Sequence, residues 1–254
     1  LMADAVGLGK TLEAGILVSE LMKRGKGKRI LVLAVKSMLT QFQKEFWNRF
    51  SIPLTRLDSQ GIQKVRNKIP ANMNPFFYYD KSIISIDTLK QEALYRSYIE
   101  EAYWDIIIID EAHNVADRNS GSQKSKLAKL ISSRCDTLVM LSATPHDGSA
   151  KSFASLLNML DPTAIANPND YSADDFKDKG LVIRRFKKDI ADQVKDEFKT
   201  RQIFTIKSNA SIYEEEVFHF ISNINFKTID SNKRKGSELF KTTLIKSLLS
   251  SPIA

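Results

Sequence analysis

Four short runs in this chain are apolar without alternation: ILVLAV (Ile30–Val35), SIISI (Ser82–Ile86), WDIIIID (Trp104–Asp110) and TLVMLS (Thr137–Ser142). A strand with one wet face alternates apolar and polar residues. A continuous run rich in β-branched residues marks a strand covered on both faces, as in a parallel sheet. The intervening segments read as helices. Lys10–Lys23 carries Leu12, Ile16 and Leu17, and Ser37–Phe50 carries Met38, Phe42 and Phe46 at four-residue spacing. Asp87 is placed to cap a helix running to Tyr98, and Ser122 to cap one carrying Leu127, Leu130 and Ile131. Strand and helix in alternation predict an α/β fold, a doubly wound parallel sheet with helices on both faces. Ligands on such sheets bind at the carboxyl ends of the strands.

Three motifs sit at such ends. DAVGLGKT (Asp4–Thr11) has two glycines that let the backbone turn its N–H groups toward phosphate oxygens. Lys10 then reaches the β- and γ-phosphates and Thr11 offers a hydroxyl to Mg²⁺, with the helix dipole behind both. The pattern G-x-x-x-x-G-K-[ST] is met except at its first position, where Asp4 stands. Taken alone, the stretch is also compatible with a glycine-containing loop beside a chance lysine. DEAH follows the strand WDIIII, so Asp110 and Glu111 are adjacent carboxylates at a strand end. One acid suits Mg²⁺ and the next suits the attacking water; alone, the pair reads more readily as a solvated acidic turn. SATP (Ser142–Pro145) places small hydroxyl residues at a third strand end, a weak signal by itself.

Composition narrows the partner. The net charge of +8 suits a polyanion such as nucleic acid. A single cysteine, Cys135, leaves no intramolecular disulfide and no CxxC knuckle, which fits a reducing, cytoplasmic setting. No apolar run approaches the roughly 20 residues that span a bilayer, so no membrane partner is expected. Three scattered histidines make no metal cluster: His146 and His219 read as structural or exposed, Cys135 as a small core residue, and the aromatic NPFFYYD (Asn74–Asp80) as core packing plus a turn.

The order GKT, DEAH, SATP resembles motifs I, II and III of superfamily-two helicases. The finer resemblance is to the Swi/Snf family of helicase-like ATPases, and within it to bacterial RapA-like or phage-defence-like members. That family's motif I, D-E-x-G-L-G-K-T, accounts for Asp4 and for Leu8 between the glycines. LVLAVKSMLTQFQKEF and IISIDTLK are similar to its motifs Ia and Ib, and VIRRFKKDI to the basic stretch after its first lobe. The resemblance covers nearly the whole chain and implies a RecA-like first lobe, with ATP and Mg²⁺ as cofactors and double-stranded DNA as partner. It also implies RNA polymerase or a nuclease or defence complex as candidate protein partners.

Residue by residue, the resemblance puts Asp4, Gly7, Leu8, Gly9, Lys10 and Thr11 at the ATP phosphates and Thr11 and Asp110 on the metal. It makes Lys10, Asp110 and Glu111 the catalytic set, with Glu111 as base. His113 couples the site to Ser142, Ala143 and Thr144, and Lys36, Ser37, Gln41, Asp87 and Thr88 meet DNA. Ala5 and Val35 depart from the family's Glu and Pro without removing a group the chemistry needs. The adenine-recognising segment and the arginine-finger motifs of a second lobe have no counterpart in these residues, so the chain is expected to be an N-terminally truncated first lobe. The expected division is a RecA-like lobe over 1–165 and, over 166–254, the end of that lobe with a linker and a helical protrusion. A strand is expected at Arg201–Lys207, helices over 211–230 and 237–249, and an exposed turn at SNKRKGS. Arg184, Arg185, Lys187 and Lys188 read either as a solvated face or as a DNA or lobe contact. An RNA-directed helicase of the same superfamily and a non-hydrolysing docking module remain alternatives.

Overall fold

A computed structural model describes residues 1–89, 93–117, 122–145, 149–193, 203–207, 209–224 and 234–250. The elements in chain order are α1 (Lys10–Lys23), β1 (Ile30–Ala34), α2 (Leu39–Phe50), β2 (Thr55–Arg56), α3 (Ser59–Arg66), β3 (Lys81–Ser85), α4 (Ile86–Leu89), α5 (Ala93–Glu101), β4 (Trp104–Ile109), α6 (Gln123–Ser132), β5 (Cys135–Met140), α7 (Ala150–Leu160), α8 (Asp174–Lys177), α9 (Ile212–Asn223) and α10 (Arg234–Ser250). The chain divides into two compact units, Leu1–Glu197 and Phe198–Ala254.

The first unit is built on a five-stranded parallel sheet in the order β2-β3-β1-β4-β5. The four continuous apolar runs supply four of its strands. Both faces are covered, which is why those runs do not alternate. Ile30, Val32, Ile83, Ile106, Ile108 and Val139 pack with Ala14 and Val18 of α1 and Leu39, Phe42 and Phe46 of α2. Leu31, Leu33, Ile84, Ile107, Ile109 and Met140 face the other way, onto Ile62 and Val65 of α3, Ile99 of α5, Leu127 and Ile131 of α6 and Leu156 of α7. The chain is thus an α/β protein of the doubly wound, RecA-like kind, with a helical extension in its second unit.

The first residues enlarge this sheet. Met2 bridges in parallel to Leu141 on one side and to Ile183 on the other. Its amide donates to Met140 O at 2.8 Å, and the Ala3 amide to Ile183 O at 2.7 Å. The segment before the loop is therefore held on both sides. Residues 161–185 close onto the same unit, where Tyr171, Phe176, Leu181 and Val182 pack around Ala154, Leu157, Ala164 and Ile165.

At the amino ends of the strands the chain is tightly tied. The Asp105 carboxylate accepts from the amides of Lys28 at 2.6 Å and Arg29 at 2.8 Å. Arg29 donates to Phe76 O at 3.1 Å and lies over the Phe77 ring. Asn74 caps the aromatic turn by accepting from the Phe76 amide, and Phe76 packs edge-on against the fully buried Trp104. NPFFYYD is core packing plus a turn: Phe76 is buried, while Phe77 and Tyr78 are exposed.

Some expectations change. Four elements lack a sequence expectation: β2, α3, which Asp58 caps through the Gly61 amide, α7 and α8. The helix expected from Asp87 to Tyr98 is described as α4 and α5, with residues 90–92 outside the described ones. The strand expected at Arg201–Lys207 does not form over 203–207, where Ile203, Phe204 and Ile206 are exposed and no ladder is made. Residues 201–202 lie outside the described residues, as do 231–233 of the expected turn and His146.

In the second unit, Ser211 and Glu214 form a capping box that starts α9, which ends at Asn223. Arg234–Ser237 belong to α10 rather than to a turn. The two helices contact each other, and they expose Ile212, Tyr213, Phe220, Leu239, Phe240 and Leu249.

Candidate active site

The carboxyl ends of the strands gather the chemistry-bearing residues on one rim. Lys36 and Ser37 follow β1, Asp87 and Thr88 follow β3, Asp110 and Glu111 follow β4, and Ser142 follows β5. Because the strands are parallel and in register, with Ala34 beside Ser85 and Leu33 beside Ile109, these segments leave the sheet side by side.

The loop before α1 turns through two left-handed glycines, Gly7 at φ 89° and Gly9 at φ 86°. A Cβ would meet open space at Gly7 and ordinary contact at Gly9. Backbone conformation, and not crowding, is therefore what asks for glycine. Gly9 ends the loop and starts α1, accepting from the amides of Leu12 and Glu13 at 2.8 and 3.0 Å. No side chain caps this helix start, so its first N–H groups have no intrahelical acceptor and are open to an anion. Lys10 donates from Nζ to Asp4 O at 2.9 Å. Thr11 is half-buried beside it and Leu8 is half-buried within the loop.

Asp4 stands apart from the expectation. Its carboxylate is fully buried and accepts from the Arg185 amide at 2.8 Å and from Arg185 Nε at 2.9 Å. What it offers the loop's interior is its carbonyl. Arg185 is thus tied to a buried acid, although its side chain is nearly half exposed. It also pairs with Glu13 in the first turn of α1. Sequence reasoning missed this contact, since 181 residues separate the partners and periodicity carries no signal over that span.

Backbone bonds to neighbouring strands hold the acidic turn: the Asp110 amide donates to Leu33 O at 2.8 Å and the Ala112 amide to Leu141 O at 2.9 Å, while the Ser142 amide, at the next strand end, donates to Met2 O at 3.0 Å. The turn itself is strained, because Glu111 is a non-glycine residue in the left-handed region at φ 47°, a conformation that clusters at functional sites. Burial, then the adjacent Glu111 charge, raises the Asp110 carboxyl above its ordinary value, while a hydrogen bond from the Glu111 backbone, then Lys10 and His113, pull it back. His113 Nδ1 lies 3.1 Å from Ser142 Oγ and 3.2 Å from Glu111 Oε2. A chain of polar contacts therefore runs from the second acid to the next strand end. Ala143 and Thr144 continue from Ser142, with Thr144 exposed.

The residues expected at nucleic acid are less gathered. Lys36 and Ser37 are exposed, and Gln41 reaches Glu45 at 3.0 Å. Asp87 pairs with Lys124 at 2.9 Å, and Thr88 is half-buried. Among the described residues, no group of three His, Cys, Asp or Glu side chains gathers around a point. No helix among them is long and apolar enough to cross a membrane.

A profile of the SNF2-related domain matches residues 1–251. The chain belongs to the SNF2-related family. Among curated relatives of this SNF2-related chain, the RNA polymerase-associated protein RapA of Sodalis glossinidius is 29% identical over 174 residues, which is 68% of the chain and 17% of that protein. RapA of Serratia proteamaculans is 27% identical over 178 residues, covering 70% and 18%. The chain thus spans less than a fifth of the length of these relatives. Among solved structures, the SWI2/SNF2 ATPase core of Sulfolobus solfataricus in complex with dsDNA superposes with a TM-score of 0.57 at 21% identity, over 99% of this chain and 54% of that one. The Hef helicase domain of Pyrococcus furiosus superposes at 0.55 and 19% identity, over 87% and 41%. At these identities the likeness of structure shows the fold; the profile match carries the family.

Proposed function

We propose that this chain is the N-terminal ATPase lobe of a double-stranded DNA translocase, which hydrolyses ATP to move on DNA or to remodel protein–DNA complexes. One observation carries the reading: Lys10, the Asp110–Glu111 pair and the His113–Ser142 contact meet on one rim of one sheet. The residues fit a nucleotide with Mg²⁺. The uncapped start of α1 and the two left-handed glycines form an anion cradle. Burial and a second carboxylate leave Asp110 in want of a cation. One or two carboxylates beside substrate phosphates is a usual Mg²⁺ set, where a cage made wholly of protein groups is not.

Bound there, the metal would neutralise charge on the β- and γ-phosphates, held by Thr11 and Asp110. The chain's own groups do the rest. Lys10 exchanges the Asp4 carbonyl for phosphate oxygens, while Gly7, Leu8 and Gly9 supply backbone around them. Glu111 takes the proton of the attacking water. His113 reports the state of Glu111 to Ser142, Ala143 and Thr144. Catalysis of this kind is positioning and charge neutralisation. Lys36, Ser37, Gln41, Asp87 and Thr88 would lie along the duplex, and the charge of +8 supports that partner. RNA polymerase, named with the RapA relatives, is the favoured protein partner.

The test is ATP turnover by the longer protein that carries this lobe, with and without nucleic acid. Duplex DNA is expected to stimulate turnover, and Glu111→Gln to abolish it. Stronger stimulation by RNA would replace DNA as the substrate. An unchanged biological activity in Lys10→Ala would reduce the lobe to a docking module. The 254-residue chain by itself carries no arginine-finger pattern, a device worth about 10³–10⁵ in turnover, and is expected to hydrolyse ATP very slowly.

A further inference from the structure

One side chain holds both ends of the phosphate loop. Asp4 stands just before the loop and Glu13 lies in the first turn of α1 beyond it. The terminal guanidinium nitrogen of Arg185 pairs with both, while its Nε and backbone amide fix the two Asp4 oxygens at 2.9 and 2.8 Å. Backbone bonds set the register of the same junction: Ala3 N to Ile183 O at 2.7 Å, Ala5 N to Arg185 O at 3.0 Å and Ile183 N to Leu1 O at 2.9 Å. Between these anchors the loop has little of its own. Leu8 N reaches Ala5 O at 3.3 Å, and the two glycines leave the backbone free to change.

We propose that Arg185 is a positioning residue for the phosphate loop, and that it couples the loop to the segment Ile183–Phe186. The proposal rests on the nucleotide reading above for its purpose, but not for its geometry. Asp4 is fully buried, and a buried carboxylate keeps its charge only with a partner. That partner is nearly half exposed, at 46%, and is shared with Glu13. It is therefore placed to respond as well as to stabilise. Lys10 rests on the Asp4 carbonyl, so an anion that draws Lys10 away acts on the residue that Arg185 grips. Coupling of this kind is reciprocal: a segment moved by loop occupancy must in turn change the loop's affinity.

The test is amide hydrogen exchange on the whole chain, first without nucleotide. Arg185→Ala is expected to speed exchange at residues 5–11 about tenfold and to leave β1 and β4 unchanged. Arg185→Lys restores most of the protection. Arg184→Ala, whose side chain lies over the Phe186 ring, changes nothing at the loop. If Arg185→Ala unfolds the chain, Glu13→Ala decides instead, because it removes one arm and leaves the buried Asp4 paired; it should loosen residues 5–11 by a smaller factor. A uniform acceleration across β1, β4 and the loop, or loop exchange unchanged in Arg185→Ala (in Glu13→Ala should Arg185→Ala not fold), overturns the proposal.

Adding MgATP to the wild-type chain should then slow exchange over 183–190 as well as 5–11, with the response over 183–190 lost in Arg185→Ala, or in Glu13→Ala should Arg185→Ala not fold. A response over 183–190 that survives in the variant overturns the coupling. A wild-type chain that shows no MgATP binding at all, yet still loosens only at 5–11 in the variants, keeps the clamp and sinks the nucleotide reading.

Discussion

The two rims of the sheet are made by the same strands and behave oppositely. At the amino rim, the Asp105 carboxylate satisfies two amides, Arg29 is both hydrogen-bonded and stacked, and Trp104 and Phe76 are wholly buried. At the carboxyl rim, two carboxylates stand side by side, Glu111 holds a left-handed backbone, and Lys10 rests on a carbonyl in its own loop. A parallel sheet buries its middle and leaves its two ends to differ. One end can be settled for stability, and the other kept polar and strained for chemistry.

Substitutions should separate the rims. Trp104→Ala removes the largest fully buried side chain and is expected to cost about 3–5 kcal/mol, read as a lower urea midpoint. A cost below about 1 kcal/mol would mean that the amino rim does not anchor the sheet. Glu111→Gln at the other rim should leave stability within about 0.5 kcal/mol, while turnover by the longer protein falls about 10²–10⁴-fold. A comparable loss of stability would erase the contrast.

Two smaller effects sharpen it. Cys135 opens β5 at the amino rim, where burial pushes its thiol up to about 11. Alkylation near pH 8 should run roughly a hundredfold slower than for a free thiol; ordinary reactivity would show that end of β5 to be open. Asp110→Asn acts at the carboxyl rim. An acid whose folded pKa lies above its unfolded one destabilises the fold when ionised, with no penalty below the unfolded value and a full one above the folded value. Asparagine carries no such charge. The variant should therefore gain about 0.5–2 kcal/mol near pH 7, and the gain should fade as pH falls through the raised pKa of Asp110. Equal thermal midpoints for the two proteins at neutral pH would show that Asp110 stores no such cost.

The middle of the sheet was more legible in sequence than its margins. ILVLAV and WDIIII announce β1 and β4 because burial on both faces removes alternation, which is a local signal. The two residues of β2 are too few for any periodicity. The order β2-β3-β1-β4-β5 depends on how crossovers pack, and no window of sequence contains that. At the site, Lys10, Asp110, Glu111 and Ser142 were readable as residues at strand ends. The clasp of Arg185 on Asp4 was not, since a basic residue among basic residues looks the same whether it faces solvent or a buried acid. The helices α9 and α10 were readable too, and yet Ile212, Tyr213 and Phe220 are exposed. A helical period says which face is apolar and not what covers it.

The placement of Met2 between Leu141 and Ile183 has a consequence for synthesis. The residues that lead into the glycine loop leave the ribosome before either neighbour exists. They must wait for about 140 residues to reach one side of their slot and about 180 to reach the other. The part of the sheet around β1, β3 and β4 can pair meanwhile from contacts nearer in sequence. The segment leading into the loop is thus made before the two partners that seat it. Until the segment bearing Arg185 emerges, the Asp4 carboxylate has no reason to leave water.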